Sequence, residues 1–221
     1  MLFLLTGDVQ IGKTRWLSAL ADELAGEGVP VAGVLAPGVW RKRETAGEGR
    51  FEKLGIDNVL LPSGERLAFA RRRDLALAEG TFDPTSQSAA AQLAWEISDD
   101  AIARVNAHFD RLADEMFHVK HTFAQTNVSR ETSGGGEAPA GLLVVDELGR
   151  LELMCGGGLT SAVALLERGP AAGFAHALAV VRDWLRPLAE ERFADAWGGV
   201  RALAPDGHAR TLVRDAFGLS S

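Results

Sequence analysis

The sequence is poor in the features that would place a protein outside the cell or in a membrane. It has one cysteine, Cys155, so no intrachain disulfide can form. That suits a reducing compartment and points to the cytoplasm. No apolar run reaches the length of a membrane span. The apolar start MLFLL is too short for a secretory signal core, lacks a basic leader and runs straight into a glycine loop. It reads instead as a buried strand. Basic charge is also scarce: 23 Lys and Arg stand against 30 Asp and Glu, a net charge of −7. Binding nucleic acid needs clustered cations on phosphate, so no nucleic-acid partner is expected, nor a membrane. The two dense basic runs, Arg41 to Arg43 and Arg71 to Arg73, read as solvated turns or helix starts. No internal repeat is visible.

What is present is an ordinary globular composition, with 47% hydrophobic and 24% charged residues in 221. That suits a single domain spanning 1–221. Leu2 to Leu5 is a continuous apolar run of the kind buried on both faces in a parallel sheet. From Lys13 to about Glu27 the apolar spacing turns helical, through Trp16, Leu17, Leu20 and Leu24, and Gly26 and Gly28 end it. VPVAGVLA, Val29 to Ala36, is a second strand, which makes a βαβ unit. Residues 37–73 alternate short apolar pieces with turns and predict a small antiparallel excursion after the second strand. Residues 85–112 predict a long helix, with Leu93, Ile97, Ile102 and Val105 buried. The pattern breaks over 113–140, which predicts a flexible insertion or a lid. His118 and His121 lie there, without enough companions for a metal site. Order returns with a strand from Gly141, a helix ending at Gly169, a strand over His176 to Arg182, a helix carrying Pro187, and a last strand, GVRALA. The sum is an α/β fold with a mostly parallel sheet of about five strands.

The stretch GDVQIGKT, Gly7 to Thr14, carries the chemistry. It matches G-x-x-x-x-G-K-[ST], placed between a strand and a helix. Gly7 allows a sharp exit from the strand, and Gly12 allows close approach of backbone to phosphate. Backbone N–H groups of Asp8, Val9, Gln10 and Ile11 would line an anion nest, with the helix N-terminus behind them. The Asp8 carboxylate should face outward, because pointing inward it would repel phosphate. Lys13 would reach the β- and γ-phosphates, and the Thr14 hydroxyl would bind Mg²⁺. Such a loop needs a carboxylate at the end of a neighbouring apolar strand. LLVVDE supplies it: Asp146 would hold Mg²⁺ through water, and Glu147 would orient and polarise an attacking water.

These residues, with VPVAGVLAPGVW and DELGRLEL at Asp146 to Leu153, together resemble the THEP1-type nucleoside-triphosphatases. The resemblance spans most of the chain outside 113–140. It implies a P-loop NTPase fold, a RecA-like three-layer sandwich. It also implies slow, Mg²⁺-dependent hydrolysis of nucleoside 5′-triphosphates to diphosphate and phosphate with broad base tolerance. The chain departs from the family pattern at Arg150, where Lys is frequent, at Asp8 and Gln10 in the loop, and in the length of 113–140. Glu152 either braces the site or caps the next segment. A cation against the γ-phosphate would help hydrolysis. Arg182, at a strand's carboxyl end, is the candidate, with Arg41 and Arg43 as alternatives; each also reads as an ordinary surface arginine. Two other functions use the same loop: a kinase for a small molecule or nucleoside, and a nucleotide-dependent switch with negligible turnover.

Overall fold

The computed structural model describes residues 1–42, 51–126, 141–170 and 173–219, with backbone alone for 116–126. Arg43 and residues 127–140 of the expected insertion therefore lie outside the described residues. The parallel centre holds five strands: β1 (Leu2–Leu5), β2 (Val31–Leu35), β7 (Gly141–Leu148), β8 (Phe174–Val181) and β9 (Val200–Leu203). Their order is β2-β7-β8-β1-β9, every pairing parallel. One strand, β8, thus separates β1 from β7.

The sheet is larger than expected. The excursion after β2 does not stand apart as a small meander. Its strand β4 (Phe51–Leu61) pairs antiparallel with β2, β5 (Glu65–Arg72) antiparallel with β4, and β6 (Trp95–Ile97) antiparallel with β5, all in the same sheet. With β3 (Gly38–Lys42) on β4, the sheet has nine strands among the described residues.

Both faces of the central strands are covered, which is why β1 and β2 are apolar and buried throughout, while β9 at the edge is not. Leu2 and Leu4 point into one core with Phe109, Leu165, Phe193 and Trp197. Those partners come from α4 (Asp99–Thr126), α6 (Thr160–Arg168) and α7 (Arg186–Trp197). Phe3 and Leu5, alternating to the other face, pack with Leu17, Leu20, Leu24 and Val213. These belong to α1 (Lys13–Gly26) and α8 (Gly207–Ala216). The result is three layers. Pro187 sits in the first turn of α7, where its missing N–H costs nothing.

The expected helix over 85–112 is corrected. Its first half forms the short α3 (Gln87–Ala90) and β6, because edge pairing with β5 claims Trp95 to Ile97. Leu93 and Ile97 are only half-buried, whereas Ile102 and Val105 on α4 are buried. The helix itself starts at Asp99 and continues to Thr126.

One backbone contact in this sheet matters for the site. Gly33 on β2 has φ +125°, and a Cβ there would lie 2.0 Å from the Val144 carbonyl oxygen. Only glycine lets β2 approach β7 this closely.

Candidate active site

The loop leaves β1 at Gly7 and enters α1 through Gly12, with φ of +122° and +97°. The first intrahelical bond of α1 is Trp16 N–H to Gly12 O, at 2.9 Å. The N–H groups of the first turn therefore have no intrahelical acceptor, and no side chain caps them. That end of the helix carries partial positive charge. The Lys13 ammonium lies along the loop, donating to the carbonyls of Gly7 at 2.6 Å and Asp8 at 2.8 Å. The Gly7 N–H is itself held by the Asp183 carboxylate at 2.9 Å.

Asp146 ends the buried run of β7 and is 1% exposed. Its Oδ2 accepts from the Ala36 N–H at 2.9 Å. That donor is delivered by the close β2–β7 approach at Gly33. Its Oδ1 is buried and has no hydrogen-bond partner. Burial, and then the charge of Glu147, push the Asp146 carboxyl up to about 7; the Ala36 N–H, the Thr14 hydroxyl and Lys53 pull the other way. Thr14 completes no hydrogen bond to Oδ1.

Glu147 turns away from the core. The β7–β8 register slips across Val145 and Leu148, and Glu147 takes φ +68°. A left-handed conformation at a non-glycine residue costs of order 1 kcal/mol or more. The turn leaves its side chain 46% exposed, with Oε1 4.0 Å from the Lys53 ammonium. Glu152 is buried, which raises its pKa. Its two oxygens accept from the N–H groups of Gly149 at 2.8 Å and Leu159 at 3.2 Å. It thus caps α5 (Arg150–Met154) and ties down the segment after it.

Most of these groups open onto one cleft of about 750 Å³. Val9, Gln10, Gly12, Lys13 and Thr14 line it, and so do Asp146, Glu147 and Arg182. Asp8 and Ile11 are exposed, and with Gly7 they lie off its wall. Arg182 is exposed at the mouth. Arg41 instead pairs with Glu52 at 3.0 Å and does not line the cleft. The run Arg71 to Arg73 is spent on Glu79, Glu52, Asp74 and the Phe82 ring. Among the described residues no cluster of His, Cys, Asp and Glu has metal-site geometry of its own. No described helix is long and apolar enough to cross a membrane.

The fold has a solved counterpart. The chain is similar to the solution structure of a human cancer-related nucleoside triphosphatase, with a TM-score of 0.53 and 18% identity over 98% of this chain and 95% of that chain. At that identity the likeness speaks for the fold alone. No family model matches the chain, and no curated protein does.

Several contributors to the site have no signal in the sequence pattern. Asp183 follows directly on Arg182 and reads as one more strand-end acid. Lys53 lies far from the loop in sequence, and only the antiparallel pairing of β4 brings it to Glu147. Trp40, Phe69 and Trp95 line the far wall from three separate strands.

Proposed function

We propose that the protein hydrolyses nucleoside 5′-triphosphates to nucleoside diphosphate and phosphate, slowly, with Mg²⁺ and with little discrimination among bases. The observation that carries this reading is a single cleft wall. It joins an uncapped helix N-terminus, Lys13, and a buried carboxylate with one partnerless oxygen. The first two attract a polyphosphate and the third wants a cation. A hard cation takes oxygen ligands, and the Thr14 hydroxyl and Asp146 offer them in the same cleft. When held there, Mg²⁺ would supply positive charge against that developing on the phosphates. The first-turn N–H groups of α1 hold and orient the phosphates. Lys13 already spans the loop, so it needs little rearrangement to reach them. Glu147, beside Asp146 but exposed to the cleft, accepts the proton of an attacking water. Arg182 faces the charge on the γ-phosphate. The likeness of fold to a protein named as a nucleoside triphosphatase is in keeping with this assignment.

The test is phosphate release with Mg²⁺ and each of ATP, GTP, CTP and UTP. Lys13→Ala should abolish it. Glu147→Gln should retain nucleotide binding and lose about 10²-fold or more in turnover, the usual scale of a general base. Turnover unchanged in Glu147→Gln would remove that residue from the chemistry.

A further inference from the structure

The cleft is longer than a triphosphate site requires. Beyond Glu147 it continues under the antiparallel extension, where its lining changes from polar loop to Trp40, Ile56, Phe69, Trp95 and Ile97. This lobe is built, not incidental. A Cβ at Gly38 would meet Trp40 Nε1 at 2.7 Å and Lys53 Cε at 2.9 Å, so the indole and the lysine stem pack side by side over bare backbone. The Lys53 ammonium in turn sits 5.3 Å from the Trp95 ring centroid. Trp40 stays 46% exposed on this wall.

Two further observations mark the lobe. Asn58 on β4 is 1% exposed and belongs to the lining; its Oδ1 has no partner, and its Nδ2 makes only a 3.4 Å contact with the Asp57 carbonyl. The described chain also has three non-glycine residues at positive φ: Gln10, Gln92 and Glu147. All three line this cleft. The first belongs to the phosphate loop and the last is the candidate base, while Gln92 has φ +52° on the far wall. Backbone strain of this kind gathers at ligand sites.

The position of the lobe decides what would occupy it. In-line displacement brings the nucleophile to the γ-phosphorus from the side opposite the departing diphosphate. With Glu147 as the base on that side, an acceptor approaching past it would occupy the lobe, and the nucleotide's own base would be directed elsewhere. We infer that the lobe is a second-substrate site for a flat heterocyclic alcohol of the nucleoside class, which takes the γ-phosphoryl group in competition with water. The aromatic walls stack the ring. The unpartnered Asn58 oxygen accepts from a ring N–H or amino group. The hydroxyl oxygen of the acceptor forms a bond to the γ-phosphorus, the bond from that phosphorus to the β–γ bridging oxygen breaks, and the diphosphate leaves with the electron pair. The hydroxyl proton passes to Glu147. This inference rests on the proposed triphosphate site and adds to it a second fate for the phosphoryl group.

The test follows γ-³²P from Mg-ATP in the presence of adenosine, guanosine, cytidine, uridine or thymidine, in wild-type protein and in Trp40→Ala and Asn58→Leu. The expected result is label in a nucleoside monophosphate for at least one nucleoside. Transfer should fall tenfold or more in both variants, while phosphate release without nucleoside stays within about twofold. Label appearing only in inorganic phosphate with every nucleoside overturns the second site and leaves the hydrolase standing. Transfer without any phosphate release supports the second site and overturns the hydrolase. No label released by either route overturns both.

Discussion

At 1% exposure, with Oδ2 on the Ala36 N–H and Oδ1 on nothing, Asp146 keeps an ionisable carboxyl, pushed up to about 7, where solvent cannot reach it. Burying an unpaired carboxylate destabilises a fold, and a residue kept under those terms is kept for a ligand. The consequence is measurable without any nucleotide. Asp146→Asn preserves the shape and the acceptor for Ala36 while removing the charge. It should raise the stability of the ligand-free protein by about 1–2 kcal/mol, a gain typical of relieving functional strain. The same variant should release no phosphate from Mg-ATP. A urea unfolding curve for each protein decides it. A midpoint that falls in Asp146→Asn would mean that the carboxylate is stabilising as it stands, and that its unpartnered oxygen is of no consequence.

At the scale of elements, the site depends on how closely two strands run. Gly33 permits the approach of β2 to β7, and that approach brings the Ala36 N–H to Asp146. Gly33→Ala would force a Cβ to within 2.0 Å of the Val144 oxygen at φ +125°. It should cost about 3 kcal/mol or more, a large share of a domain's stability, and should reduce turnover with it. Gly26→Ala is the control. It lies at the end of α1 with nothing within 4 Å of the added carbon, and should be neutral or stabilising by about 0.5–1 kcal/mol. Equal losses in the two variants would mean that the β2–β7 contact plays no special part. Elements whose signal is local were legible in the sequence: the buried runs of β1 and β7, the periodicity of α1, the loop between. Elements that depend on distant partners were not. Residues 95–97 have a helix-like apolar spacing that edge pairing with β5 overrides. The C-terminal helix α8 is absent from the sequence reading, although Asp206 caps it by accepting from the Ala209 N–H at 2.8 Å. It docks on α1 through buried Val213 and through Arg210, which donates to Glu23 at 2.8 Å. Within the site the division is the same. Lys13, Thr14, Asp146 and Glu147 announce themselves by motif. Lys53 and the aromatic wall reach the cleft, and Asp183 reaches the loop, by topology alone.

At the scale of the whole molecule, the issue is whether the antiparallel extension is an appendage or part of the same cooperative unit. Hydrogen bonding runs without interruption from β9 at one end of the sheet to β6 at the other. The core follows it: Leu60 and Leu67 of the extension belong to the same buried cluster as Leu2, Val145 and Phe193 of the parallel half. A cluster shared in this way cannot lose one half without exposing the apolar surface of the other, so the two halves should unfold together. Tryptophan fluorescence can read each half separately, since the chain has no tyrosine and five tryptophans. Trp95 reports on β6 at the far edge of the extension. Trp197, buried with its indole N–H 2.7 Å from the Leu166 carbonyl, reports on α7 in the parallel half. Variants in which Trp95 or Trp197 is the sole tryptophan should show the same urea midpoint by fluorescence, coincident with loss of helix by circular dichroism. An earlier transition at Trp95 would mark the extension as an independently melting unit. The aromatic wall would then be free to move against the phosphate loop, and both substrates of the proposed transfer could not be held by one rigid frame.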